Sequence, residues 1–241
     1  MTEPLYRDAP YERENAARVT AIDEHGIRLD RTVFYPRGGG QAGDAGALVL
    51  GDGRGLAIAD TIKSPAALGE GEILHVPAPG QEALIAGLAP GAALTARIDW
   101  DRRHRHMRFH TATHLLCAIV PHPTNGCSIT ASYARLDFDM VEPLEREHLE
   151  RELARLVAEA HDVRTVWITD EELDAKPELV RTMSVKPPRG VGRVRLLEID
   201  GVDLQACGGT HVANTREIGA LRVAKIEKKS ARSRRVVLEF A

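Results

Sequence analysis

Two short stretches constrain this chain more than any other feature: His110-Thr111-Ala112-Thr113-His114 and Cys207-Gly208-Gly209-Thr210-His211. Each sets two metal-ligating residue types four positions apart, and residues 115–206 separate them. On a helix, positions i and i+4 share a face roughly 6 Å apart along the axis, so His110 and His114 can converge on one ion. Cys207 and His211, from a distant loop, would complete a tetrahedral set of one thiolate and three imidazoles, which suits Zn2+. A fold that uses this set must bring the two stretches together. The two glycines after Cys207 fit a loop whose backbone comes close to an ion or substrate. The plainer reading of the same residues is a core cysteine, a turn and a few hydrogen-bonded histidines.

Two neighbouring possibilities fall away. Cys117 lies about 10 Å of helix rise from His110, so it reads as a small buried apolar residue rather than a fifth ligand. Thr111 stands where a metalloprotease helix would carry its Glu base.

The 241 residues suffice for one large domain or two ordinary ones. Hydrophobic residues make up 43%, enough for a normal core, but only 4% are aromatic, so aliphatic packing must dominate. A net charge of −3 argues against a globally basic nucleic-acid binder, yet leaves room for a local basic face. Three dispersed cysteines make no disulfide framework and fit a reduced, cytoplasmic setting in which a thiol serves a metal. The first residues lack the apolar core of a signal peptide, and no apolar run approaches the ~20 residues that span a bilayer, so no membrane partner is expected.

Residues 1–99 read as short strands with Gly-rich turns, which suggests a small β-barrel. Arg18–Ile22 and Ile27–Asp30 alternate about a turn at His25-Gly26, and Thr32–Tyr35 reads as a further strand. Ala47–Leu50, Leu56–Asp60, Ile73–Val76 and Ala93–Ile98 complete the set, while Gln81–Gly87 fits a short helix or a strand. Inside this half lies Tyr35-Pro36-Arg37-Gly38-Gly39-Gly40-Gln41. Such a run reads either as a tight turn or as a loop of bare backbone in which Arg37, Gly38, Gly39, Gly40 and Gln41 meet a phosphate or a nucleic-acid end. No Gly-Lys-Ser/Thr follows, so no nucleotide cofactor is expected.

A boundary near Asp99 separates this barrel from residues 100–241, which read as an α+β domain with an antiparallel sheet and packed helices. A basic run, Arg102 to Arg108, opens a helix that carries Met107, Thr111, His114, Leu115, Ala118 and Ile119 on one side and ends at Pro121. Arg105 and Arg108 sit close to the presumed metal, where they could hold an anionic partner. Cys127–Met140 reads as a hairpin or two strands. A helix follows, with Pro143 in its first turn and Leu149, Leu153, Leu156, Val157 and Ala160 as its buried stripe. Val163–Ile168 reads as a strand, Asp170 as the cap of a short helix, and Val191–Ile199 as a strand feeding the Cys207 loop. A closing hairpin places Lys228, Lys229, Arg232, Arg234 and Arg235 in its turn, a basic feature able to meet a phosphate backbone.

With these residues assembled, the sequence resembles the editing domain of alanyl-tRNA synthetases and, in its two ligand spacings, the related domain of threonyl-tRNA synthetases. The resemblance rests on Arg105 to Leu116, on Cys207-Gly-Gly-Thr-His211-Val with Asn214 to Gly219, and on Gly38-Gly39-Gly40-Gln41 with Gly43-Asp44. No aminoacylation domain is present in the sequence, so the chain looks like a free-standing AlaX-type protein of the longer kind. The resemblance implies hydrolysis of the ester that joins serine, or glycine, to tRNA(Ala), with His110, His114, Cys207 and His211 as zinc ligands. It also implies a part in activity for the Gly-rich loop, and Ala42 departs from the proline or valine expected there. Thr111 and Gln41 are the catalytic candidates. Thr111 or Thr113 is the candidate for telling serine from alanine by its hydroxyl.

Four protein ligands ordinarily describe a closed zinc site. Either one ligand, with His211 the candidate, is loose, or the zinc holds the substrate's amine or hydroxyl while an unbound water attacks. A zinc-stabilised nucleic-acid module without catalysis, and a metallohydrolase for small esters, are the competing readings.

Overall fold

The computed structural model describes residues 1–65, 71–180 and 192–241. The chain divides into two compact units, residues 1–38 with 42–104 and residues 39–41 with 105–241. Its helices and antiparallel sheets make it an α+β protein.

In the first unit, β1 (Glu3–Pro4) is followed by β2 (Glu14–Asp23), β3 (Gly26–Leu29), β4 (Arg31–Thr32), β5 (Gly46–Leu50), β6 (Gly55–Lys63), β7 (Ile73–Pro77), α1 (Glu82–Ala86) and β8 (Ala93–Ile98). Six strands close into an antiparallel barrel in the order β2-β3-β7-β6-β5-β8. Alternation supplies the core: Val19, Ile27, Leu29, Leu48, Leu56, Ile58, Leu94, Ala96 and Ile98 point inward, as the aliphatic composition requires. The ambiguous Gln81–Gly87 segment is the helix α1.

The strand expected over Thr32–Tyr35 is a correction. Only Arg31–Thr32 pairs, as β4 with β1, while Val33, Phe34 and Tyr35 are buried without a ladder. Side chains replace the missing strand. The backbone N–H groups of Val33, Phe34 and Tyr35 donate to Asn15 Oδ1 (2.9 Å), Thr32 Oγ1 (3.1 Å) and Asp44 Oδ2 (2.6 Å). Asp44 in turn pairs with Arg103, both side chains being essentially inaccessible to solvent. The same guanidinium donates to the carbonyls of Pro10 (3.0 Å) and Val33 (2.6 Å), so the buried charge pair is well supplied with hydrogen bonds. Part of the basic run is thus internal structure rather than a solvated turn.

The second unit takes up α2 (Trp100–Ile119), within which the division of the chain falls, then β9 (Thr124–Ile129), β10 (Ala134–Asp139), α3 (Arg146–Ala158), β11 (Val163–Thr169), α4 (Asp170–Asp174), β12 (Arg193–Ile199), β13 (Asp203–Ala206), β14 (Leu221–Ser230) and β15 (Ser233–Phe240). Two antiparallel sheets result, β14-β15-β10-β9 and β11-β12-β13. Helix α2 is buried around its whole circumference from Phe109 to Cys117, not along one side, and Ala118 and Ile119 are only half-buried. Its threonines tolerate this because they bond their own helix: Thr111 Oγ1 donates to Met107 O (3.0 Å) and Thr113 Oγ1 to His110 O (2.7 Å).

Three local expectations shift. Helix α3 begins at Arg146, so Pro143 precedes it. Its buried stripe is Leu149, Leu153 and Leu156, with Val157 and Ala160 half-buried and Ala160 already past the helix at φ 59°. The cap of α4 is Thr169, reciprocally bonded with Glu172, and Asp170 is the first helical residue. Strand β12 starts at Arg193, and Val191 lies outside the described residues. Among the described residues, no helix is long and apolar enough to cross a membrane.

Candidate metal centre

Helix α2 carries His110 and His114 one turn apart, and the loop after β13 carries Cys207 and His211. The three histidines are almost wholly buried and Cys207 half-buried, and one donor atom from each of the four lies within 4.8 Å of the others. Cys207 Sγ sits 3.5 Å from His110 Nε2 and 3.2 Å from His211 Nε2. A tetrahedral zinc with ordinary bond lengths has sulfur-to-nitrogen edges of about 3.5 Å, so these spacings fit one ion. Imidazole centroids are 4.3 Å apart for His110 and His211, 5.0 Å for His114 and His211, and 5.5 Å for His110 and His114.

Each imidazole is oriented from behind. His110 Nδ1 donates to Gln41 Oε1 at 2.7 Å, His114 Nδ1 to Asp203 Oδ2 at 2.9 Å, and His211 Nδ1 to Thr111 Oγ1 at 3.3 Å. These contacts turn Nδ1 of all three rings outward and Nε2 toward the cluster, the orientation a metal needs, with a bound metal displacing any proton on Nε2. Burial opposes a charge on Cys207, but the imidazoles of His110 and His211 hold its thiol well below the usual range. Burial and the neighbouring His110 keep His211 well below its ordinary value. Burial acts the same way on His114 and is the largest single influence there, yet the hydrogen bonds and charges of Asp203 and Cys207 together outweigh it and raise that group to about 9. A thiolate among imidazoles fits a zinc ion and no harder cation.

A family model described as the threonyl and alanyl tRNA synthetase second additional domain matches residues 194–237, which include Cys207 and His211. The chain is 36% identical to the alanyl-tRNA editing protein AlaX-M of Methanosarcina acetivorans over 98% of both chains. The chain belongs to the AlaX family. It is also 33% identical to the AlaX-M of Saccharolobus solfataricus over 98% of both. With the alanine–tRNA ligase of Ignicoccus hospitalis it shares 34% identity over 94% of its own length but only 24% of that enzyme.

In this AlaX chain the Gly-rich loop delivers Gln41. Gly39 and Gly40 adopt φ of 58° and 86°, and a Cβ on Gly40 would meet Cys127 Sγ at 2.7 Å. Gly40 O accepts from Ile129 N at 2.8 Å, which pins the loop against β9. Gln41 is fully buried. Its Oε1 accepts from His110 and from Thr210 N (3.2 Å), and its Nε2 donates to Thr210 Oγ1 (2.9 Å), so its amide faces the ligands and not an outside phosphate. Gly209 plays the matching part opposite, for a Cβ there would come within 2.1 Å of His110 Cε1. Cys127 stays a thiol, since burial and then the charge of Cys207 push it up to about 12. Neither it nor Cys117 joins the cluster.

The remaining candidates have other neighbours. Arg37 pairs with Asp60 at 2.7 Å and Gly38 O accepts from Tyr35 Oη at 2.8 Å, both in the first unit. Arg105 and Arg108 set their guanidinium carbons 4.9 and 3.9 Å from the ring centre of Phe240, which stacks on Phe109 beside His110. Lys228, Lys229 and Arg232 are exposed at the far end of the β14–β15 hairpin. That end is some 20 Å along β15 from Phe240. The turn itself holds Arg232 alone of the five basic residues. Lys228 and Lys229 end β14, while Arg235 is bound to Asp137 (2.7 Å) and Arg234 to the carbonyls of Glu142, Ser230 and Ser233.

Asp203, behind the candidate ligand His114, is not singled out by motif spacing, and its burial is what marks it. In β13, Asp203 and Gln205 are buried while Leu204 is 39% exposed, an inversion of the usual pattern that marks a polar interior. Gln205 Nε2 donates to Asp203 Oδ2 at 2.7 Å and steadies it.

Proposed function

We propose that this protein is an aminoacyl-tRNA deacylase that acts in trans on tRNA(Ala) mischarged with serine or with glycine, at a zinc ion held by His110, His114, Cys207 and His211. The observation that carries the reading is the common orientation of the three imidazoles toward Cys207, each enforced by a separate partner. Family membership over nearly the full chain supports the substrate class. Bound there, zinc supplies an electrophilic anchor for the seryl amine and hydroxyl.

The chain's own groups do the rest. Gln41, Asp203 and Thr111 are positioning residues. The hydroxyl of Thr111 is occupied by Met107, His211 and Val212, and that of Thr113 by His110, so neither is free to read a substrate hydroxyl. Gly208 is exposed, with nothing within 4 Å of a built Cβ, so the ester approaches over the Cys207–Gly208 edge while the helix side stays dry. Arg105 and Arg108 flank Phe240 as a patch for the acceptor-end phosphates, and Lys228, Lys229 and Arg232 offer a separate basic group at the other end of β15.

Four protein donors would also suit a purely structural zinc. A deacylation assay with seryl-, glycyl- and alanyl-tRNA(Ala), with and without chelator, separates the two. Rapid release of serine, slow release of alanine and loss of turnover after metal removal are expected. A zinc-replete protein with no turnover on any of the three would establish the non-catalytic module instead.

A further inference from the structure

Arg195, on β12, lies outside every role assigned so far, yet it reaches the backbone of the ligand loop. Its Nη1 donates to Cys207 O at 2.8 Å and to Gly209 O at 3.0 Å, and its Nη2 donates to Thr165 Oγ1 on β11 at 3.0 Å. The guanidinium is therefore tied at three points, across two strands and the loop that leaves the third. A planar fork of fixed donors suits this task, and a flexible point charge would not hold both carbonyls equally well.

The consequence follows from peptide geometry. The chain has no cis peptide among the described residues, and in a trans peptide the C=O and the following N–H point opposite ways. Holding the oxygens of Cys207 and Gly209 turns the N–H groups of Gly208 and Thr210 away from Arg195. The Thr210 N–H indeed ends on Gln41 Oε1 at 3.2 Å, the oxygen that also fixes His110. The intervening Gly209 N–H points at Cys207 Sγ, 3.5 Å away. One side chain thus fixes the Cys207–Gly208 and Gly209–Thr210 peptides on either side of the one whose N–H meets the sulfur.

We infer that Arg195 is a positioning residue for the metal centre, clamping the Cys207–Gly209 carbonyls so that the thiolate and His211 are held in register with the helix imidazoles. The inference rests on the metal-centre reading above. It is tested on the full chain by titrating metal-free protein with Co2+ and following the thiolate-to-cobalt and d–d absorption. Wild type, Arg195→Met, Arg195→Lys and Thr165→Val are compared, alongside kcat and KM on seryl-tRNA.

Arg195→Met is expected to weaken Co2+ binding about tenfold or more and to lower the thiolate absorption, the range seen when groups that orient ligands are removed. Arg195→Lys should recover part of the loss, Thr165→Val should show a smaller loss of the same kind, and kcat should fall more than KM rises. Wild-type affinity and spectrum in Arg195→Met would overturn the inference. Should that variant fail to fold by circular dichroism, wild-type spectra in both of the other two would overturn it equally. A wild-type protein that deacylates nothing, but whose cobalt spectrum depends on Arg195, would sink the deacylase reading and leave the clamp standing. Full deacylation with a spectrum indifferent to Arg195 would do the reverse.

Discussion

At the scale of single residues, each imidazole of the candidate centre is turned by one partner behind its Nδ1. Of the three groups behind the candidate ligands only Asp203 is a carboxylate, and with Cys207 it raises His114 to about 9 against burial, the largest single influence on that group. Asp203→Asn keeps the shape and the acceptor but removes that charge. Zinc affinity should fall about tenfold, measured by competition with a metallochromic chelator, and unchanged affinity would show that the Asp203 charge does not tune the site. The two loop glycines offer a paired test. Gly209→Ala drives a methyl to within 2.1 Å of the His110 ring, whereas Gly208→Ala meets nothing within 4 Å. Metal content should drop well below one ion per chain in the first and stay near wild type in the second. Equal metal content in both would mean that the close approach at Gly209 is not needed.

At the scale of elements, the same residue types serve different ends according to their place. Arg103 is internal, Arg105 and Arg108 lie over Phe240, Arg234 and Arg235 are committed to partners within the unit, and Lys228 and Lys229 face solvent. Charge patterning could not separate them, because a run of arginines reads alike whether its partners are carboxylates across the fold or water. The exposed end of the β14–β15 hairpin is where a phosphate backbone would be felt. Lys228→Glu with Lys229→Glu should weaken tRNA binding and lower the slope of log affinity against log salt by roughly one for each phosphate no longer neutralised, with zinc content unaffected. Identical salt slopes would make that end a bystander. Periodicity found most strands and both long helices, but it placed a strand at Thr32–Tyr35. The β-branched and aromatic residues Thr32–Tyr35 suit a strand, and only the side chains of Asn15 and Asp44 reveal that the ladder is absent.

At the scale of the whole molecule, stability and chemistry are handled by separate groups. His75 is fully buried in the first unit, where Nδ1 donates to Ile27 O (3.0 Å) and Nε2 accepts from Thr32 Oγ1 (2.8 Å). Burial lowers it to about 4, against which the Ile27 bond acts only weakly. A base whose folded value lies below its unfolded one stabilises fully above about pH 6.5 and loses that contribution as the pH falls toward 4. The shift corresponds to about 3 kcal/mol at most. His75→Gln keeps a donor and an acceptor but cannot titrate. Denaturation of both proteins at pH 7.5 and 4.5 should show the wild type's advantage at the higher pH shrinking or reversing at the lower. A gap that is the same at both would show that His75 takes up no proton on unfolding.

What the sequence by itself determined is local: the i,i+4 spacing that makes His110 and His114 neighbours on a helix, the Cys207-to-His211 loop with its glycines, the alternation of the barrel strands and their turns. These follow from short-range geometry, in which residue type and spacing suffice. What only the tertiary structure decided is which group stands behind each ligand. Gln41 meets His110 across 69 positions, Asp203 meets His114 across 89 and Thr111 meets His211 across 100. Arg195 meets the ligand loop as its strand runs alongside β13, and Arg103 meets Asp44 across 59 positions. A buried hydrogen bond has no spacing rule once its partners sit on different elements. It is fixed by how those elements pack, and here that packing brings four residues of suitable type within reach of one ion.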